Sequence, residues 1–328
     1  MKLIYFSFRY RHREKELNNL LKSRFYGNIF LLNLGGPFRF FIAKILNAFG
    51  IGQGISCDGR PLIKNKSKGI NFWMRGTYLN IPEDLRNLSN NYVTINNPLL
   101  VENNKVFKLY PINIKKSKIN ESLKIIYISK TLNKNNDNFN IWNEFKNKLI
   151  TDFSLIDNIN FWNENFNENS LEENFKIYCD LKTFLRHEIV SYIKNKYQNN
   201  MLLIGSDWKN YFTDAKDSLY NINEIKKIYH GNICLDLGST LGSTSLYSRS
   251  NQIIESGGLI IQNNQLDSKE IWRNLSDKIL FNNLDSLERL INIYLKDKFH
   301  CEKILDQISD NFKDSKKFIE KNLNEIFN

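Results

Sequence analysis

Apolar runs of strand length alternate with runs of helical spacing along most of this chain. Lys2–Phe8 is a short apolar and aromatic run that predicts a strand. A charged, helical stretch follows from Arg13 to Lys22, and a second apolar run, Ile29–Leu34, ends in Gly35-Gly36-Pro37. The result is a β-α-β rhythm. Over Phe38–Phe49, the positions Phe38, Phe41, Ile42, Ile45, Leu46 and Phe49 recur at helical spacing, with Arg39 and Lys44 as the charged residues. That pattern predicts either a buried or half-buried helix or a basic amphipathic helix resting on a membrane. Residues 50–100 are rich in Gly, Asn and isolated aromatics and include a tight turn at Cys57-Asp58-Gly59-Arg60-Pro61.

The polar, basic segment Lys115-Lys116-Ser117-Lys118 interrupts the pattern ahead of a clear strand, Lys124–Ile128. It sets an expected boundary between an N-terminal domain, 1–118, and a C-terminal domain, 119–328. The second domain reads as strands at Lys124–Ile128, Met201–Ile204, Asn232–Leu237 and Gly258–Gln262. Helices are expected around Trp142–Ile150, Phe184–Lys196, Ile222–Tyr229 and from near Tyr247, with two or three more after Leu284. Strands alternating with helices imply a mostly parallel sheet covered on both faces, so the fold class is α/β with two Rossmann-like lobes.

Composition narrows the class further. A chain of 328 residues exceeds what one core usually organises, and 41% hydrophobic with 13% aromatic residues excludes wholesale disorder. The net charge of +11 is uneven: residues 1–120 hold 20 Lys+Arg against 6 Asp+Glu, and residues 121–328 hold 26 against 29. The basic third would attract nucleic acid, an anionic bilayer or a phosphate-bearing substrate. Four cysteines and four histidines are scattered without metal-ligand or disulfide spacing, so no metal site is expected and a reducing, cytoplasmic setting fits. No signal peptide and no membrane-spanning run is evident.

Candidate chemistry lies at the predicted strand ends, where backbone N–H groups and helix N-termini converge. The loop Gly238-Ser239-Thr240-Leu241-Gly242-Ser243-Thr244-Ser245 is uncharged and rich in small hydroxyl residues, suited to cradling phosphate oxygens or to being a plain flexible loop. Beyond it, Arg249 near a helix start has the planar fork of donors that matches a diphosphate. Glu255 near the helix end opposes the macrodipole, which fits either a functional reason such as accepting from a ribose diol or a solvent-exposed Glu beside a glycine C-cap. Gly257-Gly258 then closes the helix and allows close approach of a ligand.

The segment Asn232–Gln262, NICLDLGSTLGSTSLYSRSNQIIESGGLIIQ, resembles the donor-site segment of bacterial GT-B glycosyltransferases of the group-1-like and CgeB-like families. The shared pattern is a strand, a small-residue loop, an Arg, a Glu six positions later and a Gly pair opening the next strand. Met201–Trp208, Ile228-Tyr229 and the terminal helices agree with it, so the resemblance covers residues 200–328. It implies two GT-B lobes and transfer of a sugar from a nucleotide-diphosphate-sugar, the donor being the substrate, with no cofactor and no metal. It further implies donor binding by Arg249, Glu255, Gly257, Gly258, Ser243, Thr244, Ser245, Tyr247 and Gly205; Lys130, by its place just after the first strand of the second domain, is either a further phosphate contact or an ordinary solvated lysine. The acceptor would be a glycan or lipid-linked molecule in surface polysaccharide synthesis, lipopolysaccharide or capsule. Retaining members often carry a second Glu where this chain has Tyr247, which leans towards inversion. An inverting reaction needs a general base from the first lobe, for which His12, Glu14 and Asp58 are the candidates, with Glu83 and Asp84 read as a helix start. The implied location is cytoplasmic, at the inner face of the cell membrane through the basic lobe. Two other readings stay open: a basic nucleic-acid-binding protein and an inactive scaffold in glycan assembly.

Overall fold

The apolar run Ile125–Ile128 and the strand Leu259–Asn263, apolar over its first three residues, are buried along their whole length or nearly so, the signature of strands covered on both faces of a parallel sheet. The computed structural model describes residues 1–6, 24–34, 38–57, 70–73, 79, 81, 90–103, 105–131 and 138–327. Among them the chain forms two sheets in an α/β arrangement, with parallel strands flanked by helices, as the alternating pattern predicts.

The first sheet contains β1 (Lys2–Phe6), β2 (Arg24–Tyr26), β3 (Ile29–Asn33), β4 (Gln53–Cys57), β5 (Ile70–Trp73), β6 (Asn90–Val93) and β7 (Lys105–Val106), in the order β2-β3-β1-β4-β5-β6-β7. Every pairing is parallel except β2 with β3, a hairpin turned at Gly27-Asn28. The expected helix at Arg13–Lys22 lies outside the described residues. Helix α1 (Arg39–Ala48) forms where its spacing predicts, but it is not buried. Ala43 is its buried residue, and most of its large apolar side chains face solvent.

The second sheet is wholly parallel: β8 (Ile125–Ile128), β9 (Met201–Ile204), β10 (Ile233–Asp236), β11 (Leu259–Asn263) and β12 (Leu280–Phe281), in the order β12-β11-β10-β8-β9. Its helices are α2 (Phe139–Thr151), α3 (Ile159–Asn165), α4 (Leu171–Tyr197), α5 (Ile222–Tyr229), α6 (Ser248–Glu255), α7 (Ser268–Trp272), α8 (Ser276–Ile279), α9 (Leu284–Lys296) and α10 (Lys298–Asn311). Helix α4 is longer than the apolar spacing from Phe184 suggests. A capping box starts it, the Ser170 side chain accepting from Glu173 N while Glu173 accepts from Ser170 N. The core between these layers buries Trp142, Trp162, Trp208 and Trp272, each of a size that removes roughly 150–250 Å² from water.

The connection between the sheets serves both cores: Leu109 and Ile112 pack with the first, Ile119 and Leu123 with the second. The last helix, α11 (Ser315–Phe327), returns to the first sheet. Its Ile319 and Leu323 join the first core, Phe318 stacks on Tyr110 with ring centroids 5.4 Å apart, and Glu320 accepts from Asn28 N at 3.0 Å. Among the described residues no helix is long and apolar enough to cross a membrane.

Candidate functional site

The order of the second sheet reverses direction between β8 and β10, because β9 lies on one side of β8 while β10, β11 and β12 follow on the other. A crevice opens at the carboxyl ends of strands at such a switch point. A cavity of about 610 Å³ occupies it here. Its floor and walls are the residues that follow three strands: Ser129 and Lys130 after β8, Gly205 and Ser206 after β9, and Gly238–Leu241 after β10. The first lobe closes the other side with Thr94 and Ile95, just beyond β6, and with Leu109, beyond β7. Both sheets therefore present their carboxyl edges to one space.

Among the described residues three cations line this cavity, Lys130, Arg186 and Arg249, and no Asp or Glu does. Arg249 sits in the first turn of α6, where the helix dipole adds positive potential. Its Nη2 donates to Ser129 Oγ at 3.0 Å, and its Nη1 is buried without a partner. Arg186, on α4, donates from Nη2 to the Gly238 carbonyl at 2.8 Å and keeps its Nε buried and unpartnered. Gln252, one turn after Arg249, has its Nε2 in the same condition. A buried donor with no acceptor costs roughly 1–3 kcal/mol, more when charged. Three of them around one cavity mark a place for an acceptor-rich ligand.

Buried Asp236 lies behind the wall. It accepts from the Tyr247 hydroxyl at 2.5 Å, Gly238 N at 3.2 Å and Gln262 Nε2 at 2.9 Å. These bonds fix the base of the loop after β10 and hold Tyr247 against the cavity. Burial raises the Tyr247 pKa well above its ordinary value, so the hydroxyl acts as a donor and not as a phenolate. On the opposite wall the Trp208 indole donates to Ser129 O at 2.7 Å, and Gly205 crosses so near the same strand end that a Cβ would lie 1.9 Å from Ser129 O. Only glycine fits there.

Of the residues expected at a donor site, Arg249, Tyr247, Gly205 and Lys130 meet at the cavity. Ser243, Thr244 and Ser245 do not line it. They are buried, and their polar groups are committed. Ser243 Oγ donates to Asp157 Oδ2 at 2.8 Å, Thr244 Oγ1 accepts from Asn96 N at 2.8 Å, and Ser245 N donates to Asp267 Oδ1 at 2.8 Å. The preceding residues, Gly238–Leu241, buried or half-buried, line the cavity in their place.

Glu255 is also elsewhere. It ends α6, and its Oε1 accepts from Ile112 N at 2.7 Å, so its unfavourable place on the helix is offset by a donor from the interlobe connection. Gly257 packs on Ser117, whose Oγ donates to Gly257 O at 2.5 Å, and a Cβ on Gly258 would fall 2.8 Å from Cys234 Sγ. The paired glycines thus admit neighbouring protein groups, not the cavity. His12, Glu14, Asp58, Glu83 and Asp84 lie outside the described residues. Arg186 and Gln252 went unnoticed in the sequence because nothing in the spacing of a helical Arg or Gln shows that it faces a crevice.

The lobes are clasped beside the cavity. Ser243 N donates to Asn96 O at 2.8 Å, Asn97 Nδ2 to Leu241 O at 2.9 Å and Asn251 Nδ2 to Leu109 O at 3.2 Å. Gly242 makes this possible, since a Cβ there would sit 2.0 Å from Asn96 O. No family model matches the chain, and no curated protein is significantly similar to it.

Proposed function

We propose that the chain is a glycosyltransferase that moves a sugar from a nucleotide-diphosphate-sugar to a glycan or lipid-linked acceptor in surface polysaccharide synthesis. The observation that supports it is the cavity at the switch point, lined among the described residues by Lys130, Arg186 and Arg249 and by no carboxylate, with donors on Arg186, Arg249 and Gln252 unspent. A diphosphate satisfies those donors and balances those charges. The volume, about 610 Å³, falls in the range for small ligands.

In this reading the acceptor oxygen bonds to the anomeric carbon of the sugar while the bond from that carbon to the diphosphate breaks. The diphosphate leaves with the electron pair, and the acceptor proton passes to a base. Arg186, Arg249 and the N-terminus of α6 stabilise the charge that accumulates on the leaving diphosphate, the part usually assigned to preorganised positive groups. The apolar side of the cavity, with Leu219, Ile222 and Ile225, is the place for the nucleoside.

Thermal melting of the chain with UDP-, GDP- and CMP-sugars tests this. One of the first two raises the melting temperature, and Arg249→Ala removes the rise. Melting unchanged by every nucleotide overturns the reading; binding without sugar transfer to any acceptor reduces it to a scaffold.

A further inference from the structure

We propose that α1 is a membrane-surface anchor that seats the first lobe on an anionic bilayer. A helix on a globular protein turns its large apolar side chains to the core. Helix α1 does the reverse. Its core-facing line is half-buried Arg39, buried Ala43 and half-buried Leu46, spaced four and three apart. The outward stripe is Phe38, Phe41, Ile42, Ile45 and Phe49, a continuous run at three and four spacing. Phe38 is 70% exposed, Phe41 63% and Phe49 75%, with Ile42 and Ile45 at 39% each. Phe40 and Ile51, about half exposed, widen the apolar surface. Isolated exposed hydrophobics are ordinary, but a contiguous patch of this kind marks an interaction surface.

Charge selects the occupant. From Phe38 to Cys57 the charged residues are Arg39 and Lys44, one on each side of the stripe, and the Arg39 guanidinium lies 4.7 Å from the Phe40 ring centre. Residues 1–120 carry 20 basic residues against 6 acidic ones. A second copy of the chain would bring the same positive charges face to face, which opposes a symmetric contact. An anionic headgroup layer complements both the charge and the apolar stripe. The ten residues of α1 span about 15 Å, half of the roughly 30 Å hydrocarbon core, so the helix lies along the surface instead of crossing it.

This inference stands apart from the transferase reading; joined to it, and resting on it in that respect only, it favours a lipid-linked acceptor over a soluble glycan. Co-sedimentation of the full chain with phosphatidylglycerol–phosphatidylcholine vesicles is the test, with pure phosphatidylcholine vesicles in parallel. Binding is expected to the anionic vesicles alone, and to weaken by at least about tenfold in the Phe41→Glu/Ile45→Glu variant. Phe299→Glu, an exposed aromatic on α10, serves as the control and keeps full binding. Equal binding to neutral vesicles, or anionic binding that survives the double substitution, overturns the proposal. So does absence of vesicle binding, or a concentration-dependent dimer that the double substitution dissolves. Nucleotide-induced melting shifts of the same variants report on the cavity separately.

Discussion

Arg249 Nη2 reaches Ser129 Oγ across 3.0 Å, joining the helix that follows β10 to the loop that follows β8. These are the two strands between which the sheet changes direction, so the bond bridges the crevice and sets where the remaining guanidinium donors point. Ser129→Ala leaves the charge in place but releases its orientation. Isothermal titration with the nucleoside diphosphate that stabilises the chain is expected to show roughly tenfold weaker binding, equivalent to about 1.4 kcal/mol. Affinity equal to the parent's would show that Ser129 does not orient Arg249.

Arg186 lines the cavity, holds the Gly238 carbonyl with one nitrogen and keeps another, Nε, buried without a partner. Hydrogen bonds to charged groups contribute about 1.5–3 kcal/mol, so Arg186→Gln is expected to weaken diphosphate binding roughly 10- to 100-fold. The loss should shrink for the nucleoside monophosphate. A parallel loss for both ligands would place Arg186 on the nucleoside side instead.

Glu255 binds Ile112 N rather than lining the cavity. Glu255→Leu strands that N–H and is expected to cost about 1–3 kcal/mol of stability in urea unfolding while leaving nucleotide affinity within twofold or so of the parent. A large affinity loss with unchanged stability would instead return the ribose role to this residue.

Asp157 and Lys182 form a buried pair at 2.8 Å, and Asp157 also accepts from the Tyr178 hydroxyl and from Ser243 Oγ of the loop after β10. Burial lowers the Lys182 pKa, and the facing carboxylate opposes that shift. Lys182→Met leaves an uncompensated buried carboxylate, at a cost of about 3–5 kcal/mol. Adding Asp157→Leu is expected to recover part of it, and chemical denaturation of the single and double variants measures the difference.

His187 lies with its Nδ1 2.8 Å from Thr131 Oγ1 and its ring stacked on Trp208, centroids 5.4 Å apart. Burial lowers its pKa; Glu188 acts against the shift and Lys146 with it. The folded chain therefore binds this proton less readily than the unfolded chain, whose histidine titrates near 6.5. Stability from this site is complete above about pH 6.5 and declines as the pH falls towards the depressed folded value. His187→Gln should flatten the melting temperature between about pH 7 and 5.

Much of the second lobe is legible in residue order, because each of its main strands opens on a run of at least three apolar residues and several of its helices carry local start signals. Ile222–Tyr229 forms as its spacing predicts, whereas α4 begins at Leu171, earlier than Phe184, since the Ser170–Glu173 capping box outweighs a weakly apolar first half. The hairpin at Gly27-Asn28 escapes notice because β2 is three residues long. At the cavity, Arg249, Tyr247, Gly205 and Lys130 follow from being near strand ends. Arg186 and Gln252 do not, because they reach it from helix faces.

By itself the sequence determined what depends on neighbours along the chain: the alternation of strands and helices, the α/β class, the charge imbalance and the small-residue loop after β10. Only the tertiary structure decided which of those pieces face one another. It turned the apolar stripe of α1 to solvent, spent Glu255 and the paired glycines on contacts with the interlobe connection, and drew Arg186 to the crevice. The reason is physical: helix and strand periodicity record which side of an element is apolar, but the identity of what covers that side is settled by packing between residues distant in the chain.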